Sequence, residues 1–169
     1  QKHSMKIKGK EYCKWIDDSY LLIGKAYFYK GEFDEAIKTF SFIKNEYKKN
    51  EIRFEASLWL IRSYVEKKDF ITAEMEMEEL GNERKFPKNL DVEFAIVSAD
   101  FYLKQKNYPL ALEQLDKVDK LIKRKRKKVR YNYIMAQIYQ YNKNSKRAKK
   151  KYEQVLKSNP EYEMVFNAK

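Results

Sequence analysis

Four alanines recur along this chain at a nearly constant interval. Ala36, Ala73, Ala111 and Ala148 are separated by 37, 38 and 37 residues, and a similar set of neighbours surrounds each. The first copy, Tyr20 to Phe40, carries Gly24, Tyr27, Gly31, Phe33, Ala36 and Phe40. The second carries Tyr64, Phe70, Ala73 and Met77. The third carries Ala99, Tyr102, Tyr108, Ala111 and Leu115, and the fourth Ala136, Tyr139, Ala148 and Tyr152. Small residues at two points let two antiparallel helices approach closely, and the aromatics fill the wedge around that contact. In the first copy Lys30-Gly31 supplies the tight turn. In the fourth, Ser145 stands where the others have an aromatic, so that turn is expected to pack less well. A helix pair of this kind cannot bury its apolar face alone, so the copies must stack to make a core.

The pattern is that of the tetratricopeptide repeat, whose period of about 34 residues is lengthened here by three or four. It predicts an all-α fold: a right-handed α-solenoid of about four helix pairs, with a C-terminal capping or truncated helix over 161–169. Repeats are expected at about 17–50, 54–87, 92–125 and 129–160, within a single domain over 15–169. Residues 1–14 read as a linker or the end of a preceding helix. With only 4 Gly and 3 Pro, a sandwich or barrel is disfavoured. Gly81 is placed to end a helix, Pro87 precedes the next, and Pro109 falls in a first helical turn, where proline is tolerated.

No catalytic constellation stands out, and an enzyme is not expected. The only histidine, His3, is far from the single cysteine, Cys13, which reads as a semi-buried thiol. One cysteine excludes an internal disulfide. Acidic pairs such as Glu78-Glu79 fit solvent-facing helix positions. No cluster has metal-ligand spacing, the glycines are too dispersed for a phosphate loop, and no cofactor is expected. No apolar run approaches the ~18 residues of a membrane span. The chain opens on Gln1 and closes within a helical pattern, as an excised part of a longer protein would.

Function is therefore sought on surfaces. In a tetratricopeptide stack the first helix of each pair lines a groove. Counting back from the repeated alanine places Leu21, Lys25, Phe28 and Tyr29 there in the first copy, and Leu58, Arg62 and Val65 in the second. Ile96, Asp100 and Leu103 follow in the third, and Tyr133, Gln137, Gln140 and Tyr141 in the fourth. Of these, Lys25, Phe28, Tyr29, Arg62, Asp100, Tyr133, Gln137 and Tyr141 are the candidate protein-binding residues, in a mixed aromatic and polar groove suited to an extended peptide or partner helix. A second candidate is basic. The net charge is +12, and Lys123, Arg124, Lys125, Arg126, Lys127 and Lys128 run together, followed by Lys143, Lys146, Arg147, Lys149, Lys150 and Lys151. Such runs meet RNA, acidic proteins or anionic lipid, or simply keep a helical surface solvated. RNA is the less favoured of these partners, because single-strand readers add exposed stacking aromatics.

Some stretches are more specific than the repeat. The segment from Trp15 to Gly31, Ala99-Asp100-Phe101-Tyr102, Ala136-Gln137-Ile138-Tyr139-Gln140 and the closing Pro160 to Ala168 together resemble the tetratricopeptide region of the SprE/PorW family from Bacteroidetes. The resemblance spans about residues 15–169. It implies a non-enzymatic scaffold in type IX protein secretion and gliding motility, held as a lipoprotein at the periplasmic side of the outer membrane, with other secretion components as partners. Cys13 follows Lys10-Glu11-Tyr12 and not an apolar lipobox, so a lipid-bearing cysteine would lie upstream. A tetratricopeptide adaptor of another assembly remains the alternative, as does a basic solenoid binding RNA or an acidic surface.

Overall fold

The computed structural model describes residues 4–7, 10–13 and 16–158. The helix expected over 161–169 lies outside these, as do Trp15 and Pro160. Two strands come first, β1 (Ser4–Ile7) and β2 (Lys10–Cys13), antiparallel with Ser4 opposite Cys13 and Ile7 opposite Lys10. This corrects the expectation of a linker or helix end over 1–14. The signal was present in the polar–apolar alternation Ser4-Met5-Lys6-Ile7, a period of two that no helix shows.

Eight helices follow among the described residues. They are α1 (Ile16–Lys30), α2 (Phe33–Glu46), α3 (Ile52–Glu66), α4 (Phe70–Gly81), α5 (Asp91–Lys104), α6 (Tyr108–Leu121), α7 (Lys125–Tyr141) and α8 (Ser145–Leu156). A 3-10 turn at Lys88–Leu90 follows Pro87 and precedes α5. The described helices form adjacent pairs, as in a tetratricopeptide-type α-solenoid. By packing, the chain divides into two compact units, Gln1–Leu90 and Asp91–Lys169. In the first, α1 packs on α2, α2 on α3 and α3 on α4; in the second, α5 packs on α6, α6 on α7 and α7 on α8.

The repeat is written into the backbone as well as the side chains. Each pair turns at a residue of positive φ: Gly31 (80°), Lys68 (62°), Lys106 (60°) and Lys143 (56°). The next residue returns its N–H to the carbonyl of the template tyrosine: Glu32 to Tyr27, Asp69 to Tyr64, Asn107 to Tyr102 and Asn144 to Tyr139, at 2.8–3.0 Å. This six-to-one bond satisfies a carbonyl that the helix end would leave bare. Only Gly31 adopts such a φ without a Cβ; a non-glycine residue there costs about 1–2 kcal/mol. Three of the four second helices then begin with a side-chain cap. Asp69 accepts from the Thr72 N–H, Asn107 from Leu110 and Asn144 from Arg147. Glu32 makes no such bond, so the first turn relies on its glycine and the later three on their caps, each worth about 1 kcal/mol.

The template residues are core. Ala36, Ala73, Ala111 and Ala148 are all buried, as are Phe40 and Leu115. At Gly24 an added Cβ would stand 2.5 Å from the Phe40 ring, so the close approach of α1 to α2 depends on that missing carbon. Around Phe40 pack Leu21, Ala36, Ile43, Ala56 and Leu60, with Tyr27, Phe28, Trp59 and Tyr64 partly buried against them. In the second unit Ala99, Leu115, Met135 and Ile138 form the corresponding cluster.

Candidate functional site

The first unit brings four of the eight nominated binding residues together, around a fifth that the groove count missed. Glu55, Trp59 and Arg62 occupy one row of α3 at helical spacing of four and three. The Phe28 ring meets the Trp59 ring edge-on at 5.3 Å, and the Tyr29 ring meets it at 5.7 Å. Phe28 and Tyr29 also touch each other, with centroids 5.7 Å apart. From below, Phe40 stacks on Trp59 at 6.1 Å. Two cations lie over the indole: the Arg62 guanidinium at 4.6 Å and the Lys25 ammonium at 5.4 Å. Lys25 is held there by the Glu55 carboxylate at 2.7 Å. Each ring pair contributes about 0.5–1.5 kcal/mol and each exposed cation–ring contact about 0.5–1 kcal/mol. The cluster is therefore rigid in its base, yet Tyr29 stays 76% exposed.

Sequence counting placed Leu21, Leu58 and Val65 on the same face, and here the structure corrects it. All three are buried in the core. Because a helical residue advances by about 100° per position, an error of one residue swaps a core position for a surface one. Trp59 could have been found from its own row. It lies four residues after Glu55 and three before Arg62, so it shares the solvent-side stripe of two charged residues.

The second unit treats its nominated residues differently. Asp100 is half-buried and Gln137 exposed. Tyr133 turns its ring edge-on to Tyr152 of α8 at 5.9 Å, while Tyr141 packs on Tyr108 of α6 at 5.1 Å and remains exposed. The Tyr152 hydroxyl donates to the Gln140 side chain at 2.7 Å, and burial raises the phenol's pKa. These residues do not converge on one aromatic centre as Lys25, Phe28, Tyr29 and Arg62 do.

The basic run divides in two. Lys123, Arg124, Arg126 and Lys127 are exposed. Lys128 instead turns inward, donating to the Asp119 backbone carbonyl and lying 3.4 Å from the Asp119 carboxylate. Lys151 on α8 does the same, 3.8 Å from Asp119 and donating to the buried Asn132 amide oxygen at 3.0 Å. Lys128 and Lys151 thus join α6, α7 and α8 and are withdrawn from the surface. The Lys125 side chain lies outside the described residues.

Among the described residues no group of His, Cys, Asp or Glu is placed to hold a metal ion, and no helix is long and apolar enough to cross a membrane. Comparison with curated proteins gives no match. The tetratricopeptide-repeat family model matches residues 17–41 and 129–162. The first match covers α1 and most of α2; the second takes in most of α7 and all of α8. The middle two pairs escape the match, yet their turns, caps and buried alanines repeat the same geometry. Two stretches of the chain thus match the tetratricopeptide repeat, and the helix pairing throughout the described residues is that of a tetratricopeptide-type α-solenoid.

Proposed function

We propose that this chain is a non-catalytic docking module whose first unit receives a partner protein on the α1–α3 face. The observation that carries the reading is the exposed Tyr29 ring beside Trp59, with Lys25 and Arg62 at its edge. Interface anchors are enriched in tyrosine, tryptophan and arginine because each joins a large apolar area to a polar handle at low entropic cost. A rigid, partly exposed aromatic group with fixed cations matches that description. Tetratricopeptide repeats are protein-interaction scaffolds in general, which supports the same reading.

The assembly served is type IX protein secretion, with the module at the periplasmic side of the outer membrane in a lipid-anchored parent. This finer reading rests on the resemblance of the Trp15–Gly31 and Pro160–Ala168 stretches to the SprE/PorW family. Affinity capture from a Bacteroidetes envelope tests it. Secretion components are expected with the unaltered chain and a reduced yield with Tyr29→Ala or Trp59→Ala; recovery of none would sink the secretion reading. A parent sequence without a lipobox cysteine upstream would sink the anchor.

A basic solenoid binding RNA is the second reading. It is favoured by the exposed Lys123, Arg124, Arg126 and Lys127, for which no ion pair is found among the described residues. Titration with single-stranded RNA separates it: tight binding that falls steeply with salt supports it, and binding weaker than about 0.1 mM at physiological salt, the range of non-specific contact, removes it.

A further inference from the structure

In the second unit the first two turns of α5 and α7 and the α6–α7 connection border an open cleft of about 520 Å3. Its apolar lining is Val92 and Ile96 from α5, Ile122 from the connection and Tyr131 from α7. Its rim is cationic: Lys123, Arg124 and Lys127. No described residue forms an ion pair with any of these three, whereas Lys128 close by is committed to Asp119. A second anomaly lies in the same place. The first turn of α7 holds no acidic residue, and its N-cap, Arg124, makes no side-chain cap bond. Helix N-termini favour negative charge, so cations gathered at one oppose the local dipole. A local rule broken without internal compensation marks a place where an outside group completes the balance.

We infer that this cleft docks an acidic segment of a partner protein, carrying one aliphatic side chain between aspartates or glutamates. The aliphatic group would cover Val92, Ile96 and Ile122. The flanking carboxylates would meet Lys123, Arg124 and Lys127 and the open N-terminus of α7. Nucleic acid fits less well. The cleft offers a single ring, Tyr131, where single-strand readers stack successive bases on several. Glu93 of α5 also lines it and opposes any anion set beside it, so the partner's carboxylates belong on the side of Lys123, Arg124 and Lys127. One-sided negative charge suits a short acidic segment better than a continuous phosphate chain. This inference names a partner chemistry for the docking reading and rests on it, but at a site distinct from the Trp59 cluster.

The test selects dodecapeptides from a random displayed library on the whole chain, then measures the consensus as a fluorescent synthetic peptide. An aliphatic residue flanked by Asp or Glu is the expected consensus. The triple charge reversal Lys123→Glu, Arg124→Glu and Lys127→Glu should weaken it by at least about tenfold, in the range for charge pairs at interfaces. Serine for the peptide's aliphatic residue, or Ile122→Ser in the protein, should weaken it severalfold. All three reversed residues are exposed, and unchanged circular dichroism excludes misfolding as the cause. The proposal is overturned if no acidic peptide is selected, if the triple reversal leaves binding unchanged, or if the aliphatic residue is dispensable. A uridine oligonucleotide that binds as tightly and loses the same factor overturns it in favour of nucleic acid. Peptides lost on Tyr29→Ala but not on the triple reversal preserve the docking module and overturn only this site.

Discussion

The two units use the same repeat and settle their charges in opposite ways. Residues 1–90 carry 18 Lys and Arg against 16 Asp and Glu, whereas residues 91–169 carry 19 against 9. In the first unit, ion pairs cross from one helix pair to the next. Lys25 reaches Glu55, Lys44 bridges Glu76 and Glu79 at 2.7 Å and Lys67 meets Asp34, while within the α3–α4 pair Arg53 grips Glu83 through its two terminal guanidinium nitrogens at 3.0 and 3.1 Å. Burial alone would pull the Lys44 ammonium down, yet its two carboxylate partners outweigh it and its pKa is raised. In the second unit one carboxylate, Asp119, serves both Lys128 and Lys151, while the cations of the α6–α7 connection form no ion pair among the described residues. The same hairpin geometry thus carries a charge-closed unit with an aromatic face and a charge-open one with a basic cleft. Fold and charge are separable, because the template uses only small and aromatic positions and leaves the outward rows free.

The largest expected effect tests the dependence of the second unit on one carboxylate. Asp119→Ala leaves Lys128 and Lys151 without the carboxylate they share, and Lys151 is only 13% exposed. A loss of about 2–3 kcal/mol is expected in urea denaturation; a change below about 0.5 kcal/mol would show that water already balances these lysines. Next is the shared packing itself. Gly24→Ala gains about 1 kcal/mol of helix propensity but drives a Cβ into the buried Phe40 ring. Overpacking costs about 1–3 kcal/mol, so thermal unfolding should show a net loss of about 1 kcal/mol. An increase in melting temperature would mean that Phe40 can move aside.

Smaller effects should run in opposite directions in the two units. Raising salt screens repulsion among the unpaired cations of α7 and α8 and weakens the cross-repeat pairs of the first unit. Amide exchange on the whole chain should then slow in α7 and α8, by the equivalent of about 0.5 kcal/mol, and not slow in α2 to α4. Uniform slowing would erase the contrast. Acid acts on the first unit. The hydrogen bond from Lys67 holds the Asp34 carboxyl low, and that from Arg53 holds Glu83 low. A carboxyl depressed by folding adds stability above its unfolded pKa and loses it as pH falls through the folded value. Exchange in α2 to α4 should therefore begin to accelerate below about pH 4. Acceleration that begins instead above pH 6 would point to groups other than these two carboxylates.

The four-fold repeat was legible because its residues are chosen for shape. Tyr27, Tyr64, Tyr102 and Tyr139 recur with the alanines, and each lies where a helix must close its carbonyls. Two kinds of feature were less legible. The strand pair of residues 4–7 and 10–13 was missed because residues 1–14 were read as a linker or a helix end. The exposed row of α3 was blurred because a groove count carries a fixed register, and one residue of rotation put Leu58 where Trp59 belongs.

Sequence by itself determined the repeat, the helix pairs, the sites of their turns and the basic excess of the C-terminal half. Each of these follows from local rules of period, size and backbone freedom. Tertiary structure alone decided which charges survive as surface. Lys128 and Lys127 are neighbours of the same type, yet one is spent on Asp119 and the other faces a cleft. The physical reason is that ion pairing depends on which rows of different helices face one another, and that is set by packing distance and rotation, which no single helix encodes.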